Sequence, residues 1–276
     1  MKRARIDTPY PSRSATAKAL GVTKTRMKWL ASLFERLLRE SGKGNRTAAS
    51  VRKSKTTRAH PQTAKRPAGA HSHKRKSPDI AERYSRSSAF LNVPYDARYE
   101  NLFLAWIAGL SSFGLTPRAT LELPGPTPRL DRILDLIAAC RYSFHDLSRT
   151  ELSRGTPRFN MPFELGLAVG RMQPHYPKHE WFVFEARRFR LLRSLSDLNG
   201  TDPHIHGERP RRLLVELSNA LVRADRQPTI AELTEVYRFL RRGATRIREA
   251  NAGLYGARAF RDLVVLARDF VARELI

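Results

Sequence analysis

Hydrophobic residues along this chain follow two rhythms, and the alternation between them is the main architectural signal. Compact apolar runs of strand length stand at 89–93, 118–123, 142–147 and 181–185, each bounded by polar or turn residues. Between them, apolar positions recur every three or four residues, as on one face of a helix. These segments are 99–113, 129–140 with Leu130, Ile133, Leu134 and Ile137, the stretch around 159–170, and 211–222. A short fifth strand fits 204–206. Strands that alternate with helices imply right-handed crossovers, so the pattern predicts an α/β fold: a flavodoxin-like parallel sheet with helices on both faces.

Both ends of the chain add helices. Residues 225–276 carry two amphipathic patterns, one with Ile230, Leu233, Val236, Tyr237 and Leu240, the other with Phe260, Leu263, Val264, Ala267, Phe270 and Val271. Their apolar faces call for a partner, either the α/β domain or a second subunit. At the other end, Ser12 or Ser14 caps a short helix, Gly21 makes a turn, and Thr23 caps a second helix. The spacing of Ala17, Gly21, Val22, Met27 and Leu30 resembles that of helix-turn-helix DNA-binding units, over roughly 20 residues. That resemblance puts Lys24, Thr25, Arg26 and Lys28 on the outer side, where groove-reading residues sit. The bland alternative is a helical hairpin with a solvated basic face. Leu30, Leu33, Phe34, Leu37 and Leu38 form a stripe that two helices cannot cover, which points to a homodimer.

Residues 41–87 hold almost no large apolar side chain and read as a disordered basic linker, either a phosphate tether or a spacer. The expected division is therefore a helix-turn-helix-like segment at 1–40, the linker at 41–87, the α/β domain at 88–224 and a helical extension at 225–276.

Charge sharpens this picture. The chain has a formal net charge of +25, and residues 1–80 hold 21 Lys and Arg against four Asp and Glu. A polyanion is the expected partner of that end, most simply DNA bound through residues 1–80. The single Cys140 excludes an intrachain disulfide and fits a reducing cytoplasm. No apolar run is long enough to span a bilayer, and MKRARIDTPYPS lacks the apolar core of a secretory signal, so no membrane partner is expected.

The chemistry centres on Glu164. It enters an apolar helix, with Leu165, Leu167, Ala168 and Val169 around it, just beyond the carboxyl end of a strand. Open α/β sheets bind ligands at that end, and acids are rarely buried without a partner or a task. A helix-start acid that favours the macrodipole is the alternative. No phosphate-cradling glycine loop, nucleophile elbow or Cys/His metal spacing is present. His71 and His73, and His175, His179, His204 and His206, read as loop histidines, and no metal is expected. The remaining polar groups at strand ends are Asn92, Tyr95 and Asp96, then Asp146 and Ser148, then Asn160. Asn160 is also suited to a helix N-cap, and Asp146 to capping the segment after its strand.

AFLNVPYD at 89–96, HDLSR at 145–149 and FNMPFELGLA at 159–168 resemble the TIR-like and nucleoside 2-deoxyribosyltransferase-like branch of flavodoxin-type folds. The likeness covers residues 88–224, about half the chain. It departs from eukaryotic-type TIR domains, which have a Ser and a Trp ahead of the glutamate where this chain has Asn160 and Phe163. The resemblance implies that Glu164 is the catalytic carboxylate, that Asn92, Tyr95, Asp96, Asp146, Ser148 and Asn160 contact the substrate, and that NAD or a related nucleotide is cleaved at its N-glycosidic bond, with no further cofactor. A carboxylate suits that reaction because positive charge develops at C1′ of the ribose. The competing expectations are a nucleotide sensor without turnover, and a DNA-binding regulator in which the α/β domain serves for regulation or dimerisation.

Overall fold

The computed structural model describes residues 4–6, 16–18, 20–41, 85–122, 128–150, 159–171, 178–223 and 227–276. In chain order the elements are β1 (Ala4–Ile6), α1 (Lys24–Glu40), β2 (Ser85–Asn92), α2 (Glu100–Ser112), β3 (Thr116–Arg118), α3 (Arg129–Ala138), β4 (Cys140–Asp146), α4 (Asn160–Gly170), β5 (Glu180–Glu185), α5 (Arg190–Ser194), β6 (His204–Ile205), α6 (Pro210–Ala220), β7 (Leu221–Arg223), α7 (Ile230–Asn251) and α8 (Ala257–Glu274). The expected disordered linker at 41–87 lies outside the described residues except at its ends, where Ser41 closes α1 and 85–87 already belong to β2.

Strands β2 to β6 form one parallel sheet in the order β3-β2-β4-β5-β6. This is the flavodoxin-type order, as the alternation predicts, and its crevice opens at the carboxyl ends of β2 and β4, where the winding direction reverses. β3 is shorter and earlier than the expected 118–123. Residues 120–122 form a 3-10 turn instead. The cause is local: Arg118 Nε donates to both carboxylate oxygens of Glu122 at 3.0 Å, and Glu122 Oε1 accepts the Ala119 amide at 3.0 Å, which folds the chain back. Pro117 is tolerated because β3 is an edge strand.

Side chains on β4 alternate between the two faces of the sheet. Phe144 meets Trp106 of α2 at 5.7 Å between ring centroids, whereas His145 meets Phe90, whose neighbours are Ile133 and Ile137 of α3 and Ala168 of α4. Asp146 thus shares the α2 face and His145 the α3/α4 face.

α2 is apolar all round, and Leu102 through Ser112 are buried. A helix of that kind has to be enclosed. The sheet covers one side, with Trp106 edge-on to Phe184 at 4.6 Å, and α6, α7 and α8 cover the rest. α1 packs in turn on α7 and α8. Phe34 meets Phe239 at 5.4 Å, Arg26 Nε donates to the buried Asp262 carboxylate at 3.0 Å, and Gly243 lets Leu37 and Leu266 approach the α7 backbone. The stripe of Leu30, Leu33, Phe34, Leu37 and Leu38, from which a homodimer was expected, is therefore buried within one chain. Ahead of α1, residues 16–18 form a helical turn, Gly21 takes φ 64°, and Thr23 Oγ1 accepts the Arg26 amide at 3.3 Å. β1 pairs in parallel with β7, Ala4 opposite Leu221, in a two-stranded sheet.

α2 and α6 touch across Gly109, where an added Cβ would lie 2.5 Å from Leu217 Cδ1 and 3.2 Å from Leu214 Cδ2. Gly109→Val should overpack this contact and cost about 1–3 kcal/mol, read as a melting temperature several degrees lower. An unchanged melting curve would show that the two helices have room to separate.

Candidate functional site

Glu164 lies one turn into α4, beyond the first-turn positions that the macrodipole favours, and is only 6% exposed. Leu165 and Ala168 are buried beside it and hold the helix against the sheet. Burial pushes the Glu164 carboxyl up to about 7, against the pull of Arg129 at the start of α3. Tyr95 lies within electrostatic reach. Its phenol is held above the ordinary range by burial first, and then by the charge of Glu164. Tyr95 Oη sits 3.2 Å from Thr120 Oγ1. Glu164, Arg129 and Tyr95 thus lie within electrostatic reach of one another.

Asn92 ends β2 on the same face. Its amide nitrogen donates to Met161 O at 2.9 Å, tying the strand to the first turn of α4, and to His145 Nδ1 at 3.0 Å. The His145 proton therefore sits on Nε2. Burial drives the ring down to about 3, so it stays neutral.

Asp146 belongs to a different group. It is wholly buried and points toward α2. Tyr99 donates its hydroxyl hydrogen bond to Asp146 Oδ2 and itself accepts from Trp106 Nε1 at 2.9 Å. The Ser148 amide donates to Oδ1 at 2.9 Å. His206 Nε2 lies 3.1 Å from Oδ2, off the line of a straight hydrogen bond, so charge more than alignment holds that contact. Burial alone would raise the Asp146 carboxyl. His206, then Tyr99 and Ser148, overcome it and hold the group below the ordinary range. Two influences oppose each other on His206: burial is outweighed by Asp146, Glu185 and Glu208, which raise the ring, while the Glu208 amide donates to Nδ1 at 3.0 Å and needs it unprotonated.

The structure therefore sets Tyr95 within electrostatic reach of Glu164 and Asn92 on the same sheet face as α4, while Asp146 turns to the opposite face. Ser148 Oγ is buried without a hydrogen-bond partner. Asp96 spends its carboxylate on capping, accepting the Arg98 amide at 3.1 Å. Asn160 is the exposed first residue of α4; the cap position falls at Phe159, so Asn160 does not play the N-cap role. Lys24, Thr25 and Lys28 are exposed on α1, but Arg26 turns inward to Asp262 rather than outward.

Sequence reasoning missed Tyr99, Glu185 and Arg190, and set His206 aside as a loop histidine. Glu185 ends β5 and accepts the Ala186 amide at 2.7 Å, and Arg190 Nε lies 3.6 Å from it; burial pushes its carboxyl up to about 7. The signal for His206 was a His-Gly pair after a short strand, since Gly207 takes φ 58° in the turn. His204 stacks on Phe184, and His179 bridges Cys140 O and Ser143 Oγ, so both have structural contacts. Burial pushes the Cys140 thiol up to about 12, which keeps it protonated and unreactive. Among the described residues no group of His, Cys, Asp and Glu could hold a metal ion, and no helix is long and apolar enough to cross a membrane.

Comparison of the chain with protein-family models, curated proteins and solved structures gives no match. The likeness to TIR-like domains thus stands on the residues quoted above.

A carboxyl raised to about 7 in the fold, against about 4.3 when unfolded, binds its proton more tightly in the native state. Its contribution to stability is full at low pH and is lost as pH rises through about 7. Denaturant titrations at acidic and mildly alkaline pH should show stability falling between them, and Glu164→Gln, which cannot ionise, should remove part of the fall. Equal slopes in the two proteins would place Glu164 in water.

Proposed function

We propose that the α/β domain binds a nucleotide, NAD by the resemblance in its sequence, and cleaves its N-glycosidic bond with Glu164. One observation carries this reading: a buried carboxyl raised to about 7 stands at the crevice end of a flavodoxin-type sheet, within electrostatic reach of Tyr95 and Arg129. As a carboxylate, Glu164 stabilises the positive charge that develops at C1′ when the bond breaks. Nicotinamide leaves as a neutral base, so no second acid is required. Arg129 favours the ionised form of Glu164 and supplies a cation for a phosphate. Phe159 and Phe163, one helical turn apart, are 69% and 54% exposed, a surface suited to stacking a planar base. Asp146 acts from behind the site, fixing the loops after β4 and β6.

The use of Asp146 and Asp96 as acceptors for structural hydrogen bonds favours a second reading, a sensor that binds the nucleotide without turnover. The amino-terminal unit, with Lys24, Thr25 and Lys28 exposed, fits attachment to DNA in either case.

Incubation with NAD should release nicotinamide, and Glu164→Gln should lower the rate by about 100-fold or more while nucleotide binding is largely kept. Wild-type protein that binds NAD but never releases nicotinamide would support the sensor. Undiminished cleavage by the Gln variant would remove Glu164 from the catalytic role.

A further inference from the structure

The arginines of α7 are far from α1 in sequence, yet the fold sets the two helices side by side. Glu40, at the end of α1, accepts hydrogen bonds from Arg246 of α7 at 2.7 and 3.2 Å. Its carboxyl is lowered by that bond first, and also by the charges of Arg36 on α1 and Arg242 on α7. Arginines from both helices thus gather around a single acid. Outward from this point, Arg36 and Arg39 of α1 and Arg238, Arg241 and Arg242 of α7 are exposed. The acids of the two helices are fewer than these cations: Glu40 is taken by Arg246, Glu35 lies 2.9 Å from Arg273, Glu232 closes the capping box with Thr229, and Glu235 and Glu249 complete the set. A groove of about 410 Å³ runs between the helices, with Arg36 and Arg246 on its walls.

We infer that α1 and α7 form one continuous basic face that grips the phosphate backbone of duplex nucleic acid, with Arg238, Arg241 and Arg242 extending the contact begun by Lys24 and Lys28. This rests on the reading that the amino-terminal unit binds DNA, and enlarges the surface that does so. Charge favours that occupant, because α1 holds five Lys and Arg against two Glu, and α7 five Arg against three Glu. Guanidinium groups also match phosphate oxygens in pairs. The contact is sequence-blind; any base reading falls to Lys24, Thr25 and Lys28 at the start of α1.

The test is fluorescence anisotropy of the full chain on a labelled duplex of about 20 base pairs, longer than the ~25 Å of α1, over a salt series. R238Q/R241Q/R242Q is compared with K24Q/K28Q, and circular dichroism checks that both fold. Three lost phosphate contacts should lower the slope of log affinity against log salt by about 2.7, and affinity by about tenfold or more at low salt. If K24Q/K28Q weakens binding while the α7 variant matches wild type in affinity and slope, the inference is overturned and the DNA-binding reading survives. If wild-type protein does not bind the duplex, both fall. Binding to phosphatidylserine vesicles in place of the duplex would also overturn it and reassign the face to a membrane surface.

Discussion

The structure depends on enclosing α2. A helix apolar on every side is stable only when nothing but protein surrounds it. Here the sheet supplies one wall, and α6, α7 and α8 the others. That requirement explains the layout outside the α/β core. The carboxyl-terminal helices form a third layer, and α1 joins that layer by filling the space over Phe239 and Gly243. The same helix reaches the crevice edge of the sheet. Trp106 of α2 and Tyr99, just before it, run in a hydrogen-bonded chain to Asp146, and so connect the packed layer to the strand ends.

Buried acids near the strand ends have opposite fates, and partners decide which. Asp146 is more deeply buried than Glu164, yet its carboxyl is lowered, because a hydroxyl, an amide and an imidazole converge on it. Glu164 has only the charge of Arg129 to offset burial, and Glu185 has the amides of Ala186 and Arg187 and an arginine 3.6 Å away, which do not outweigh burial. An acid with its partners in place fixes geometry. An acid without them keeps a proton within reach of neutral pH, and that is the property expected of a group with chemistry still to do.

Much of the fold could be read from the chain. Long periodic segments announced β2, β4, β5, α2, α3 and the closing helices, because burial imposes the period on the residues themselves. Elements too short to carry a period stayed hidden: β1 and β7 are three residues each, and β3 was displaced by one Arg118–Glu122 pair. The stripe on α1 was legible, but not what covers it, since any apolar face of the right width would serve. In the site, the burial of Glu164 followed from its apolar neighbours. The placing of Asp146 did not, although the two-residue period of a strand turns 145 and 146 to opposite faces. Tyr99 was invisible and His206 read as a loop histidine, because both meet Asp146 only through the crossovers.

The enclosure of α2 has a consequence for how the protein is made. Its outer wall is supplied by residues beyond 230, and Arg26 of α1 finds Asp262 across a separation of 236 positions. During synthesis the sheet strands leave the ribosome before α7 and α8 do, so an apolar helix spends that interval facing water. Folding cannot be completed from the amino terminus forward; the first helix waits for the last. Truncation within α8 should therefore be felt at Arg26, near the opposite end of the fold.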